Sequence, residues 1–173
     1  MWSLASRIMG STEGGSEPPP PAGGLLLVHH SRTGSTDRLY RAALEAAESA
    51  AAEVQVVARD AFEAGPDDVL AAGGVLMCTP ARFGYMSGAL KDFLERIYHP
   101  CLQRTAGLPY GLIVKGDTDV DGAVTSVERI VAGLAWRRVL PVLAVVGAIT
   151  TAHLEAAAEL GGSLAAGLEA GIF

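Results

Sequence analysis

The chain has 173 residues, half of them hydrophobic, and a formal net charge of −6 from 13 Lys and Arg against 19 Asp and Glu. That length suits one substantial core rather than two. The scattered basic residues leave no electrostatic footprint for nucleic acid or an anionic membrane, so a small ligand or a protein partner is expected.

The amino-terminal MWSLASRIMG lacks the apolar stretch and small-residue cleavage site of a signal peptide, and no run approaches 18 apolar residues. Residues 10–24 mix Gly, Ser, Glu and Pro and cannot bury enough surface to offset their ordering entropy. Residues 1–24 are therefore expected to be a disordered leader and 25–173 the folded domain. Cys78 and Cys101 form neither a CxxC pair nor a disulfide framework, which fits a reducing compartment and a cytoplasmic location.

From Leu25 onward apolar strands alternate with amphipathic helices, the pattern of an α/β domain whose parallel sheet carries helices on both faces. Strands are expected at Leu25–His29, Val54–Ala58, Gly74–Cys78, Tyr110–Val114 and Val139–Val146. The first, third and fourth are short apolar runs suited to burial on both faces. Gln55 in the second and Pro141 in the fifth favour sheet edges, giving a doubly wound five-stranded order 2-1-3-4-5. Leu39, Tyr40, Ala43, Leu44 and Ala47 form the apolar face of the first helix. The same spacing recurs in three later helices, near 90–97, 124–134 and 154–168, the last weakened by Gly161 and Gly162. A short helix opened by Pro66 fits between the second and third strands.

In such a sheet ligands bind beyond the carboxyl ends of the strands where the order reverses, between the first and third strands. The first strand is followed by His29-His30-Ser31-Arg32-Thr33-Gly34-Ser35-Thr36 and then at once by a helix. Four hydroxyls, a turning glycine and unpaired helix amides suit a phosphate, with plain helix capping as the alternative. No GxxxxGK[ST], no GxGxxG and no phosphate-binding Lys of those motifs is present, which argues against nucleoside triphosphates and dinucleotides on the Rossmann pattern. A phosphoreceiver domain would need acids after the first strand and Asp after the third, where this chain has His29-His30 and Cys78-Thr79. The third strand leads into Thr79-Pro80-Ala81-Arg82-Phe83-Gly84-Tyr85-Met86-Ser87-Gly88. Pro80 is expected to end the strand and Ser87 to cap the next helix. Phe83, Tyr85 and Met86 between them either meet a flat ring or roof the core.

Ser31-x-Thr33-Gly34-x-Thr36 resembles the phosphate signature of flavodoxins. Thr79 to Gly88, followed by Leu90-Lys91-Asp92-Phe93-Leu94-Glu95-Arg96, is similar to the second flavin loop and helix of flavodoxin-like NAD(P)H oxidoreductases. The resemblance implies bound flavin mononucleotide (FMN), with Ser31, Arg32, Thr33, Gly34, Ser35 and Thr36 around its phosphate. By the same resemblance Thr79, Pro80, Ala81, Arg82, Phe83 and Gly84 border the isoalloxazine. The loop after the fourth strand reads as a third flavin-side loop, with Gly116 and Asp117 near the ring edge. The resemblance further implies hydride transfer from NAD(P)H through flavin to a quinone-like or other small acceptor, and leaves a homo-oligomer open. Tyr85 departs from the Asn common in the quinone reductases, so their substrate does not carry over. No His, Glu or Lys stands in the two loops as an obvious general acid or base, and no catalytic residue is assigned.

Two other readings remain from the sequence. One is a flavodoxin-like electron carrier without its own nicotinamide activity. The other is a calcium-binding or structural domain, because Asp117, Asp119, Asp121, Gly122 and Glu128 satisfy the EF-hand spacing. An EF-hand needs an entering helix, however, and the residues before Asp117 read as a strand. No metal site is expected from His29, His30, His99 and His153, which lack ligand spacing. Ser31 and His30 lack a G-x-S-x-G setting and a third, acidic member, which discards hydrolysis.

Overall fold

The computed structural model describes residues 23–173. The leader expected at 1–24 falls almost wholly outside the described residues, and Gly24, placed at its end, instead opens the first strand. In chain order the elements are β1 (Gly24–His29), α1 (Ser35–Ala50), β2 (Val56–Asp60), α2 (Pro66–Ala71), β3 (Ala72–Arg82), β4 (Tyr85–Met86), α3 (Gly88–Cys101), β5 (Pro109–Gly116), α4 (Asp121–Gly133), β6 (Arg137–Arg138), β7 (Leu143–Val146) and α5 (Thr151–Glu169). The parallel sheet runs β2-β1-β3-β5-β6, with β7 also on β5. This is the expected order 2-1-3-4-5, but the fifth place is held by two strands: β7 covers only the end of the expected Val139–Val146, and β6 lies ahead of its start. The break falls at Leu140-Pro141-Val142, because Pro141 cannot donate to a ladder.

Strand alternation divides the core. Leu25 and Leu27 of β1, with Leu76, Cys78 and Ile113, face α1 and α5. Leu26 and Val28, with Val75, Met77, Leu112 and Val114, face α2, α3 and α4, where Phe93 is the largest fully buried side chain. The second strand starts two residues later than expected, since Val54 is buried under α1 and α5 while Gln55 joins the ladder only through its carbonyl, which accepts from the Leu25 amide at 2.8 Å.

The helix expected to be weakened by Gly161 and Gly162 is continuous as α5, and a Cβ on Gly161 would lie 2.1 Å from the Ala43 carbonyl oxygen, so this glycine lets α5 approach α1. One local expectation is corrected: Pro80 does not end the third strand, which runs on to Arg82. The Cys78 carbonyl faces β1 and accepts from the His30 amide at 3.1 Å, so by alternation the missing N–H of Pro80 faces the flank where β1 has already ended. Among the described residues no helix is long and apolar enough to cross a membrane.

Candidate functional site

The loop after β1 turns at Gly34, whose φ of 84° suits glycine, and Gly34 itself is the N-cap of α1. No side chain caps this helix, so its hydroxyls are not spent on capping. Ser31 Oγ accepts from the Gly34 amide at 3.1 Å and holds the turn. A 16-residue helix thus presents its uncapped first-turn amides and positive dipole end beside Thr33, Ser35 and Thr36, a setting that favours an anion. The one carboxylate of that turn, Asp37, is drawn back along the helix by Arg41 Nε at 2.7 Å.

The loop after β3 is a tight hairpin. Ala81 pairs with Met86 and Arg82 with Tyr85, leaving Phe83 and Gly84 as a two-residue turn with φ of 51° and 72°. A phenylalanine at positive φ is strained, and this one is fully exposed. Behind the turn, Thr79 Oγ1 accepts from the Ser87 amide at 3.1 Å, and Ser87 Oγ accepts from the Leu90 amide at 3.2 Å as the cap of α3. Thr79 is completely buried and ties β3 to α3.

The third loop follows β5. Lys115 is 8 % exposed and its ammonium pairs with the Asp117 carboxylate, which that contact holds below the usual carboxylate range. The acidic run beyond does not gather as an EF-hand would. It is entered from a strand, Asp119 Oδ1 accepts from the Asp121 amide at 2.9 Å, and Glu128 pairs with Arg138. Among the described residues no group of three or more His, Cys, Asp or Glu is placed to hold a metal ion.

These loops form two adjoining hollows. A crevice of about 120 Å³ gathers Thr33, Ser35, Thr36, Pro80, Ala81, Arg82, Lys115, Gly116 and Asp117. A larger cavity of about 770 Å³ shares Thr33, Pro80 and Arg82 with it and adds His30, Arg32, Phe62, Phe83, Met86 and the start of α3. Of the residues singled out from sequence, eight line the crevice, and Arg32 and Phe83 line only the cavity. Ser31, Gly34 and Thr79 shape the loops from behind. Gly84 turns away towards α4, where a Cβ on Gly122 would meet its carbonyl oxygen at 2.0 Å. Arg82 stands between the hollows with its Nε buried and without a hydrogen-bond partner. An orphaned guanidinium nitrogen, a buried ammonium and an uncapped helix converge on one crevice, a donor set that fits a phosphate.

Sequence reasoning missed Lys115, hidden as the single charged residue of an apolar strand, and Phe62, which lies beyond β2 rather than at the reversal of strand order. The signal for Lys115 was a lone cation at the carboxyl end of a strand buried along its whole length. Cys78 and Cys101 are both buried, and burial pushes both thiols up, so they stay protonated.

His29 stacks on Tyr40 at 3.8 Å, and burial lowers its pKa from the ordinary 6.5. The unfolded chain therefore takes up a proton that the folded one resists, and stability is lost as pH falls below about 6.5. Urea midpoints measured from pH 7.5 down to 5 should fall, and His29→Gln should flatten that decline.

No protein-family model matches the chain, and no curated protein matches it. Solved structures do. A flavodoxin from the domain Archaea aligns with a TM-score of 0.74 at 16 % identity, over 84 % of this chain and 99 % of that one. A flavodoxin variant from Pseudomonas aeruginosa aligns at 0.68 and 23 % identity, over 84 % and 99 %. The WrbA-like flavodoxin protein of Agrobacterium tumefaciens aligns at 0.69 and 17 % identity, over 86 % and 98 %. The chain has the flavodoxin-like fold.

Proposed function

We propose that the protein binds FMN at the crevice and works as an FMN-dependent oxidoreductase, taking reducing equivalents from NAD(P)H and passing them to a small acceptor. The observation that carries this reading is the meeting of Thr33, Ser35 and Thr36 with Pro80 to Arg82 and Lys115 to Asp117 at the carboxyl ends of β1, β3 and β5. Bound FMN would supply the hydride and electron chemistry. The chain's own part is to hold the phosphate with the α1 amides, the Thr33 and Thr36 hydroxyls and Lys115, and to border the ring with the Pro80 to Phe83 hairpin. Gly116 and Asp117, on the wall of the same crevice, would lie near the ring edge.

A terminal phosphate suits this crevice better than the pyrophosphate of FAD, because no glycine-rich GxGxxG turn accompanies β1. The test is reconstitution of the apoprotein with FMN and with FAD, followed by anaerobic addition of NADH or NADPH. FMN binding with prompt bleaching of the flavin absorbance is the expected outcome. Binding without bleaching by either nicotinamide leaves the second reading, an electron carrier reduced by a protein partner, which the acidic net charge of −6 favours. Exclusive retention of FAD would overturn the phosphate assignment.

A further inference from the structure

A crevice of about 120 Å³ has room for a phosphate and not for a fused ring system, so the isoalloxazine of bound FMN would extend into the adjoining cavity of about 770 Å³. Arg82 lines both hollows. The phosphate already has the α1 amides, the Thr33 and Thr36 hydroxyls and Lys115, whereas the wall left for the ring carries Arg32, Arg82 and His30 and no carboxylate. An oxidised isoalloxazine is neutral and needs no cation.

The three basic groups are not equivalent. Arg32 is exposed, so water and salt screen its charge. His30 Nδ1 stands 3.9 Å from Asp60 Oδ2 and has a carboxylate of its own. Arg82 is half-buried, its Nε is shielded from solvent without a hydrogen-bond partner, and among the described residues it makes no ion pair. Its charge is felt at the third loop, where the Lys115 hydrogen bond and, after it, the Arg82 guanidinium hold the Asp117 carboxylate low. A shielded guanidinium nitrogen left unpaired is costly until a ligand atom meets it.

We infer that Arg82 is the counter-charge of the reduced flavin: it binds the ring more strongly after hydride uptake than before, and so sets the reduction potential of the cofactor. The inference rests on the FMN reading given above. A hydride passing from NAD(P)H to flavin N5 carries both electrons and one proton, leaves NAD(P)+ behind, and gives the ring a negative charge delocalised over its N1 and O2 edge. No bond to the protein forms or breaks. A cation held where solvent screens it weakly favours the charged form of its neighbour, and by linkage tighter binding of reduced flavin raises the potential by the same factor. Hydride transfer from the nicotinamide becomes more favourable in consequence.

The test is a dye-equilibrated redox titration of FMN-loaded wild type, Arg82→Gln and Arg82→Lys, after the affinity of each for oxidised FMN has been read by fluorescence quenching. Gln keeps much of the stem, and the backbone pairing of Arg82 with Tyr85 does not use the guanidinium. Arg82→Gln should weaken binding of reduced FMN about tenfold more than that of oxidised FMN, which lowers the two-electron midpoint by about 30 mV, and Arg82→Lys should restore most of the loss. The same shift should appear with riboflavin, which has the ring without the phosphate. In the wild type, the slope of midpoint against pH should show the reduced ring taking its second proton about one pH unit lower than in free FMN. Equal midpoints in wild type and Arg82→Gln, a loss that Arg82→Lys shares in full, or a shift absent with riboflavin would overturn the role of Arg82. So would a wild-type protonation at or above the pH of free FMN. Failure of the wild type to bind oxidised FMN would instead sink the cofactor reading, and this inference with it.

Discussion

Gly161→Ala should lower the free energy of unfolding by about 3 kcal/mol, while Gly162→Ala, one residue further on, should raise it by up to about 1 kcal/mol. Both glycines lie inside α5, where alanine is intrinsically the better helix former. Only the surroundings differ. A Cβ at Gly161 would lie 2.1 Å from the Ala43 carbonyl oxygen and 2.8 Å from its Cα, so a helix backbone must move to admit it. At Gly162 the nearest atom is 3.6 Å away, an ordinary contact. Because α1 carries the hydroxyl loop at its N-terminus, displacement of α1 by Gly161→Ala should also weaken FMN binding. Urea titrations of the two variants followed by circular dichroism check the first claim. Equal stabilities would show that α1 and α5 are not packed this closely.

The order of strands was legible because it depends on properties carried residue by residue. Uninterrupted apolar runs mark the central strands, and Gln55 and Pro141 mark the edges. The Ser87 cap was legible for the same reason, being a local match between a hydroxyl and the first free amides of a helix. What escaped was decided by neighbours. The role of Pro80 depends on where β1 ends, a long-range fact that no window around Pro80 contains. Gly161 reads as a weak point in a helix until Ala43 is placed against it. At the site, the hydroxyl loop and the Pro80 to Phe83 segment could be read as contiguous motifs. Lys115 and Phe62 reach the hollows from strand ends whose sequence shows nothing but a strand ending. The strain at Phe83 was hidden too, since a Phe-Gly pair does not announce a two-residue hairpin with both φ values positive.

Loss of the phosphate contacts should be the largest effect on ligand binding, and it should be selective for the phosphate. Thr33→Ala and Thr36→Ala each remove a hydroxyl from the crevice, and Lys115→Gln removes its buried cation. A hydrogen bond to a charged group contributes about 1.5 to 3 kcal/mol, so each variant should bind FMN about 10- to 150-fold more weakly. Riboflavin carries the same ring without the phosphate, and its weaker affinity should be unchanged in all three. Asp117→Asn should move in the opposite direction, because the Asp117 carboxylate occupies the Lys115 ammonium that the phosphate would otherwise take. Asp117 is exposed on the surface, so its replacement should not disturb the fold. Flavin fluorescence quenching reads all of these affinities, with thermal unfolding of each apoprotein as the control for folding. If the three losses appear equally with riboflavin, the crevice holds the ring rather than the phosphate. If Lys115→Gln alone leaves FMN binding intact, the ammonium stays bound to Asp117 and the α1 amides with the hydroxyls carry the phosphate by themselves.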